Sequence, residues 1–308
     1  MRLASFRGPD RAPRVGVVVD DRVLDVGDVV AATPLSARAA DVLALRGTAP
    51  RDPGMLRLLA AGPAGLEAVR AHVAGARAAG TLASAPRLAG LELLAPVPRP
   101  GKIVAVGRNY GEHAKEAGGA VQEQPRIISK LPSSVIAPGG TVPAGPVGKL
   151  DFEVELAVVI GAFARDVPRE RALDVVAGYT VLDDVSAREF QFDVSPPQTT
   201  FAKSLDGYCP MGPWLVTRDE VPDPQALELS CWLNGERMQH ASTAGMIFPV
   251  DVLIAYVSRF MTLEPGDVLA TGTPSGVGAF RTPPVWLKAG DRLRLEVERV
   301  GVLEHGIG

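Results

Sequence analysis

The chain has 308 residues, 46% of them hydrophobic and 22% charged, and a net charge of −3 with both signs scattered along its length. That balance excludes a nucleic-acid footprint or a polybasic membrane patch and leaves small molecules or proteins as partners. The length allows one large domain with an appendage, or two domains, and a sizeable core.

MRLASFRGPDRAPRVGVVVDD at the N-terminus has no apolar h-region and no small-residue cleavage signature, and no apolar run reaches a membrane span of roughly 18 residues. Cytoplasmic localisation is the expectation. VGVVVDDRVLDV (Val15 to Val26) reads as two short strands joined at Asp20-Asp21. Two Ala-rich helical stretches follow, PLSARAADVLALRG and MLRLLAAGPAGLEAVRAHVAGARAAG, the second interrupted at Gly62-Pro63 and closed by Gly80. Neither holds a cluster that suggests chemistry, so residues 1–98 read as a small N-terminal accessory domain.

The Pro-rich junction LLAPVPRPGK (Leu93 to Lys102) marks the boundary, and residues 99–308 form the second domain. Its texture is strands between Gly/Pro turns: KIVAVG, RIISKL, FEVELAVVIG, AGYTVLDD, LELSCWLNGERMQ, DVLATGTP and DRLRLEVERV. Asn234-Gly235 is a hairpin signal. One clear helix, PVDVLIAYVSRFM, puts Val250, Leu253, Ile254, Val257, Phe260 and Met261 on one face, with Pro249 near its first turn. Without regular strand–helix alternation the fold class is α+β, rich in mixed β-sheet.

VGRNYGEHAKEAGG (Val106 to Gly119) leaves a strand and enters a helical turn closed by Gly118-Gly119. His113 and Glu116, three apart, share a helix face, so the carboxylate can orient an imidazole that activates water. A surface His-Glu pair is the competing reading.

In LDFEVELAVVIG (Leu150 to Gly161) Phe152, Val154, Leu156 and Val158 point one way, and Glu153, Glu155, Ala157 and Val159 the other. Two carboxylates on a largely apolar face cost several kcal/mol each unless a cation compensates them. AGYTVLDD brings Asp183-Asp184 to a strand end, where Asp184 could complete an all-oxygen site with Glu153 and Glu155, suited to Mg²⁺ or Mn²⁺. Solvent exposure, or pairing with Arg165 and Arg188, is the alternative.

Lys203, one of six lysines, sits beside Phe201 and Ala202 and is either a positioned charge or a snorkelling side chain. LATGTPSGVG (Leu269 to Gly278) can offer backbone N–H groups and the Thr273 hydroxyl to an anion, but lacks the GK[ST] of a P-loop. Cys209 and Cys231 match no zinc spacing and read as reduced core residues.

VGRNYGEHAKE, DFEVELAVVIG, YTVLDDVSAREFQ, FAKSLDGYCPMGPWLV and LEPGDVLATGTPSGVG, in this order, resemble the fumarylacetoacetate hydrolase family over roughly residues 100 to 280. The N-terminal segment resembles the accessory domain of its bacterial acylpyruvase and hydroxymuconate isomerase-like branch. The resemblance implies a roll-like mixed-sheet catalytic domain, usually a homodimer, acting on a small-molecule 2-oxo acid. It implies Mg²⁺ or Mn²⁺, with Ca²⁺ a third candidate, on Glu153, Glu155 and Asp184. Asp184 is preferred to Asp183 because the family aspartate precedes the VSAR-type run. His113 and Glu116 match a water-activating pair on a segment that closes over substrate. Lys203 matches an oxyanion-stabilising lysine, and Arg108, Gln191 and Thr273 are assigned to substrate binding. Glu189 stands where many relatives have aspartate. The substrate's distal group is expected to be read by the STAGMIFP loop, Ser242 to Pro249, and by the lid.

The implied reaction is hydrolysis of a C–C bond in a 2,4-dioxo acid through a metal-stabilised enolate. Decarboxylation of oxaloacetate-like acids, isomerisation of 2-hydroxyhepta-2,4-diene-1,7-dioate-type dienes and dehydration of sugar-derived acids use the same platform, and a non-catalytic 2-oxo-acid binding protein is the remaining alternative. The His113–Glu116 pair favours hydrolysis, the reaction that needs an activated water.

Overall fold

The computed structural model describes residues 1–48, 54–118 and 122–308. The chain opens with β1 (Arg2–Arg7), β2 (Pro13–Val19) and β3 (Arg22–Asp25), then helices α1 (Gly27–Ala32), α2 (Ala37–Leu45), α3 (Met55–Ala60) and α4 (Gly62–Ala78). After Lys102 come β4 (Ile103–Gly107), α5 (Gly111–Glu116) and β5 (Arg126–Lys130). Three two-residue strands follow: β6 (Val135–Ile136), β7 (Thr141–Val142) and β8 (Leu150–Asp151). Next are β9 (Val154–Ile160), β10 (Val176–Asp183), β11 (Ser186–Ala187), α6 (Arg188–Phe192), α7 (Thr199–Ala202) and β12 (Cys209–Thr217). The last third holds β13 (Glu228–Leu233), β14 (Glu236–Ser242), α8 (Val250–Phe260), β15 (Val268–Ala270), β16 (Arg292–Val297) and β17 (Gly301–Ile307).

A ten-stranded mixed sheet runs in the order β3-β2-β1-β12-β10-β9-β15-β4-β5, with β6 paired to β12 off this path. A five-stranded sheet, β14-β13-β16-β17-β7, packs against one face of it. This is the α+β, mixed-sheet architecture expected. Phe152, Val154, Leu156 and Val158 join the core shared with Leu229, Leu295 and Leu303 of the second sheet. Ala157 and Val159, on the opposite face, join Val30, Leu58, Leu59 and Val69 from the N-terminal helices. A strand covered on both faces must be apolar on both, which is why β9 does not alternate.

The β2–β3 turn lies at Asp20-Asp21 (Val19 pairs with Arg22), and the β13–β14 turn at Asn234-Gly235, both of whose φ angles are positive. Such a turn favours Asn-Gly because both central residues must adopt left-handed backbone. The helix over 250–260 forms as read, but Phe260 is 64% exposed and only Val250, Leu253, Ile254 and Val257 of its apolar residues are buried. The helix ends at Phe260, whose exposed ring stacks edge-on against the half-buried Tyr256. Gly118 adopts a positive φ at the end of α5; Gly119 lies outside the described residues. Cys209 and Cys231 are free and buried.

The N-terminal strands are continuous with the large sheet: β1 pairs antiparallel with β12, Arg2 opposite Val216 and Leu3 opposite Leu215. Among the described residues no helix is long and apolar enough to cross a membrane.

Candidate active site and metal centre

β9 and β10 run antiparallel with Leu182 opposite Glu155 and Asp183 opposite Val154. That register makes the chain leaving β10 deliver Asp184 beside Glu153, whose carbonyl accepts the Asp184 N–H at 3.0 Å. Glu153, Glu155 and Asp184 are all buried, and one oxygen from each lies within 4.8 Å of the others. Asp183 turns away: one oxygen accepts the Glu153 N–H at 2.8 Å and the other lies 2.8 Å from Nε2 of His305 on β17. The structure thus brings together the three expected carboxylates and leaves Asp183 out.

Three cations surround two of them. Arg188 contacts Glu153 Oε1 at 2.7 Å and Asp151 Oδ2 at 2.8 Å. Lys203 Nζ donates to Glu153 Oε2 at 2.8 Å, Asp184 Oδ2 at 2.6 Å and the Ser186 hydroxyl at 2.9 Å. Lys130, fully buried, contacts Asp184 Oδ1 at 2.8 Å and donates to the Lys203 carbonyl. The pairing with Arg188 weighed as an alternative therefore exists, but inside the site, where it joins the carboxylates instead of dispersing them. Arg165 takes no part.

Glu155 is different. It accepts the Gly272 N–H at 2.8 Å, and no cationic nitrogen lies within ion-pair distance of it among the described residues. Burial, then the charges of Asp184 and Glu153, push its carboxyl well above the ordinary value. Burial acts the same way on Glu153, but Lys203, Arg188 and His113 overcome it and hold that group down to about 2. Nearby, the Tyr110 hydroxyl is buried without a hydrogen-bond partner among the described residues, and burial together with the Glu155 charge raises its pKa. An all-oxygen set with one uncompensated carboxylate fits a small hard dication.

α5 springs from the end of β4 and places His113 on the other side of the same cavity. Glu116 Oε1 is 3.0 Å from His113 Nδ1, and the Gly276 N–H, 3.0 Å from Oε2, anchors that carboxylate. His113 is buried and tilted against Phe280, ring centroids 6.0 Å apart. With Nδ1 engaged by a carboxylate, Nε2 is the nitrogen free to exchange protons.

The cavity has a volume of about 210 Å³, and Arg108, His113, Glu153, Asp184, Gln191, Lys203 and Thr273 line it. Glu155 and Glu116 stand behind that lining. Gln191 accepts from Arg188 at 2.9 Å while its Nε2 is buried without a partner among the described residues. The Thr273 hydroxyl accepts from Gln239 Nε2 at 2.8 Å, which leaves its proton available. Lys203 does not snorkel; it is 4% exposed.

Two expectations change. The Ser242–Pro249 loop does not line the cavity: Ile247 and Phe248 donate their N–H groups to Asn109, so the loop braces the segment after β4. The N–H groups of Gly272 and Gly276 serve Glu155 and Glu116, and within the Gly/Thr-rich loop Thr273 faces the cavity. Glu189 accepts the N–H groups of Gly148 and Lys149 and does not line the cavity. Lys130 was missed in the sequence, although alternation in RIISKL puts it on the same face as the buried Ile128.

Residues 102–307 match the family model described as fumarylacetoacetate (FAA) hydrolase C-terminal. The chain is 40% identical over 305 residues to a mitochondrial oxaloacetate tautomerase of Bos taurus, covering 98% of this chain and 90% of that one. The fumarylacetoacetate hydrolase of Exiguobacterium antarcticum superposes with a TM-score of 0.76 at 35% identity, covering 100% of this chain and 99% of its own. The maleylpyruvate hydrolase of Sphingobium sp. SYK-6, solved with manganese(II) and pyruvate, gives a TM-score of 0.74 at 34% identity over 100% and 98% of the two chains.

Proposed function

The chain belongs to the fumarylacetoacetate hydrolase family, and from that premise we propose that it is a divalent-metal-dependent hydrolase cleaving a C–C bond in a small 2,4-dioxo acid. The observation that carries this reading is His113, held by Glu116 and lining the same cavity as Glu153 and Asp184.

Glu153, Glu155 and Asp184 would hold Mg²⁺ or Mn²⁺, whose chemistry when bound is Lewis-acid polarisation of a 2-oxo carbonyl. His113 Nε2 takes a proton from water as the water oxygen bonds to the distal carbonyl carbon of the substrate. Glu116 stabilises the imidazolium through Nδ1. The C–C bond to the central carbon then breaks, its electron pair passing into an enolate, and the His113 proton can return to that carbon. Lys203, poised between Glu153 and Asp184, supplies positive charge beside the developing anion. Thr273, Gln191 and Arg108 orient the substrate. Products are a carboxylic acid and a 2-oxo acid.

A second reading, oxaloacetate tautomerisation, is favoured by the 40% identical bovine relative that covers 98% of the chain. There His113 would carry a proton between the enol oxygen and the neighbouring carbon, with no water consumed. The same proposal takes residues 1–98 as accessory, residues 99–308 as catalytic, and the protein as a cytoplasmic homodimer.

The test is turnover of acylpyruvates and oxaloacetate by metal-stripped protein with and without Mg²⁺ or Mn²⁺, products identified by mass. Metal-dependent uptake of one water with appearance of two acids supports hydrolysis. Enol–keto conversion of oxaloacetate at constant mass, with no cleavage of any acylpyruvate, would replace it with tautomerisation.

A further inference from the structure

At the end of the cavity formed by β4 and β5, two arginines meet. Gly107 is paired with Arg126 across the β4–β5 ladder, so Arg108, the next residue, leaves the sheet beside it. Both side chains line the cavity that holds Glu153, Asp184 and Lys203. Neither forms an ion pair or a hydrogen bond with any described residue. The contrast with the other cavity cations is sharp: Arg188 and Lys203 each bridge two carboxylates. Arg108 also holds a φ of 57°, a left-handed backbone unusual for a residue with a side chain.

Two like charges side by side without a counterion repel. Arg126 is exposed at its edge of the sheet, and partial loss of water, then the charge of Arg108, shift its guanidinium below its ordinary value. Such a pair is stabilised by an anion that engages both, and a planar carboxylate matches the guanidinium fork. Of the site carboxylates, Glu153 and Asp184 are already matched by Lys130, Lys203 and Arg188, and Glu155 is engaged by the Gly272 N–H. Both guanidinium groups are thus left open to an anion brought by a ligand.

We propose that Arg126, with Arg108, is a specificity-determining clamp for a second carboxylate at the far end of the substrate, so that this cavity selects 2-oxo diacids over 2-oxo monoacids. The inference rests on the proposed reading that the cavity takes a 2-oxo acid head at Glu153, Glu155 and Asp184. Arg126 adds a determinant that the motifs did not single out: it lies in RIISKL, outside the run holding Arg108, and reaches the site through strand pairing.

The test uses two five-carbon acids that differ in one terminal group, 2-oxoglutarate and 2-oxopentanoate; neither has a second keto group that could be cleaved. Their affinities for the Mg²⁺-loaded protein are measured by calorimetry. The unmodified protein should bind 2-oxoglutarate about tenfold or more tightly than 2-oxopentanoate. In Arg126→Gln the ratio should collapse, and in Arg126→Glu it should invert, an outcome that a merely structural arginine would not produce. Equal binding of both acids by the unmodified protein, or a ratio that survives in Arg126→Gln and Arg126→Glu, would overturn the clamp and leave the proposed chemistry standing. Binding of neither acid would overturn both.

Discussion

Lys203 Nζ lies 2.6 Å from Asp184 Oδ2, a buried contact in which the lysine occupies one oxygen of an expected metal ligand. The same ammonium reaches Glu153, so in the metal-free protein it carries much of the compensation for two buried negative charges. Asp184 first, then Glu153, raise the Lys203 pKa against the effect of burial, which keeps it charged. Lys203→Met removes one partner from a buried ionic cluster, an event that costs about 3 kcal/mol or more. Thermal unfolding of the metal-free variant should therefore begin several degrees lower, with saturating Mg²⁺ restoring part of the loss. A metal-free variant as stable as the unmodified protein would show that the lysine compensates nothing.

Glu155 gives metal binding a pH dependence. Its carboxyl is raised well above the ordinary value, so in the metal-free protein it keeps its proton to higher pH than a free glutamate. A cation binds the ionised form and must displace that proton. Affinity for Mn²⁺ should climb with pH by up to about tenfold per unit until Glu155 ionises unaided, then level off. Proton release during a Mn²⁺ titration in weak buffer measures it directly. Glu155→Gln should abolish the release, and Asp184→Asn should weaken binding while leaving the fold intact.

For the base, His113→Ala should lower hydrolysis by roughly 10²- to 10⁴-fold in kcat while metal affinity is unchanged. Glu116→Gln should give a smaller loss, because the glutamine still holds Nδ1 without the negative charge that favours imidazolium. Undiminished cleavage by His113→Ala would remove it from the mechanism.

Behind the site, His305 and Asp183 are both fully buried and 2.8 Å apart. Asp183 in turn fixes the Glu153 backbone. His305→Ala strips a buried carboxylate of one partner, with an expected cost of about 2–4 kcal/mol read as a lower midpoint in denaturant at unchanged slope. An unaltered midpoint would mean that water replaces the imidazole at no cost.

Much of this site could be read in the chain because its parts are local. Glu153 and Glu155 stand out against Ala157 and Val159 on one face of a strand, and His113 and Glu116 are a single helical turn apart. Asp184 followed from the adjacency of two strands. What escaped is set by register between distant segments: Lys130 reaches Asp184 from 54 positions earlier, and His305 reaches Asp183 from 122 positions later. The Phe260 expectation failed for another reason: periodicity describes a helix face but not where the cover over it ends.

The pairing of β1 with β12 has a consequence for any attempt to dissect the molecule. At Leu215 and Val216, β12 lies inside the large sheet because β1 occupies that flank, and β1 comes from the far side of the proline-rich junction. A fragment starting at residue 99 would keep every residue of the cavity and still present a bare row of N–H and C=O groups along Leu215 and Val216. Such a row is adhesive toward any extended chain, a second fragment included. The N-terminal strand thus serves as a selvedge, finishing a woven edge that would otherwise fray into intermolecular pairing.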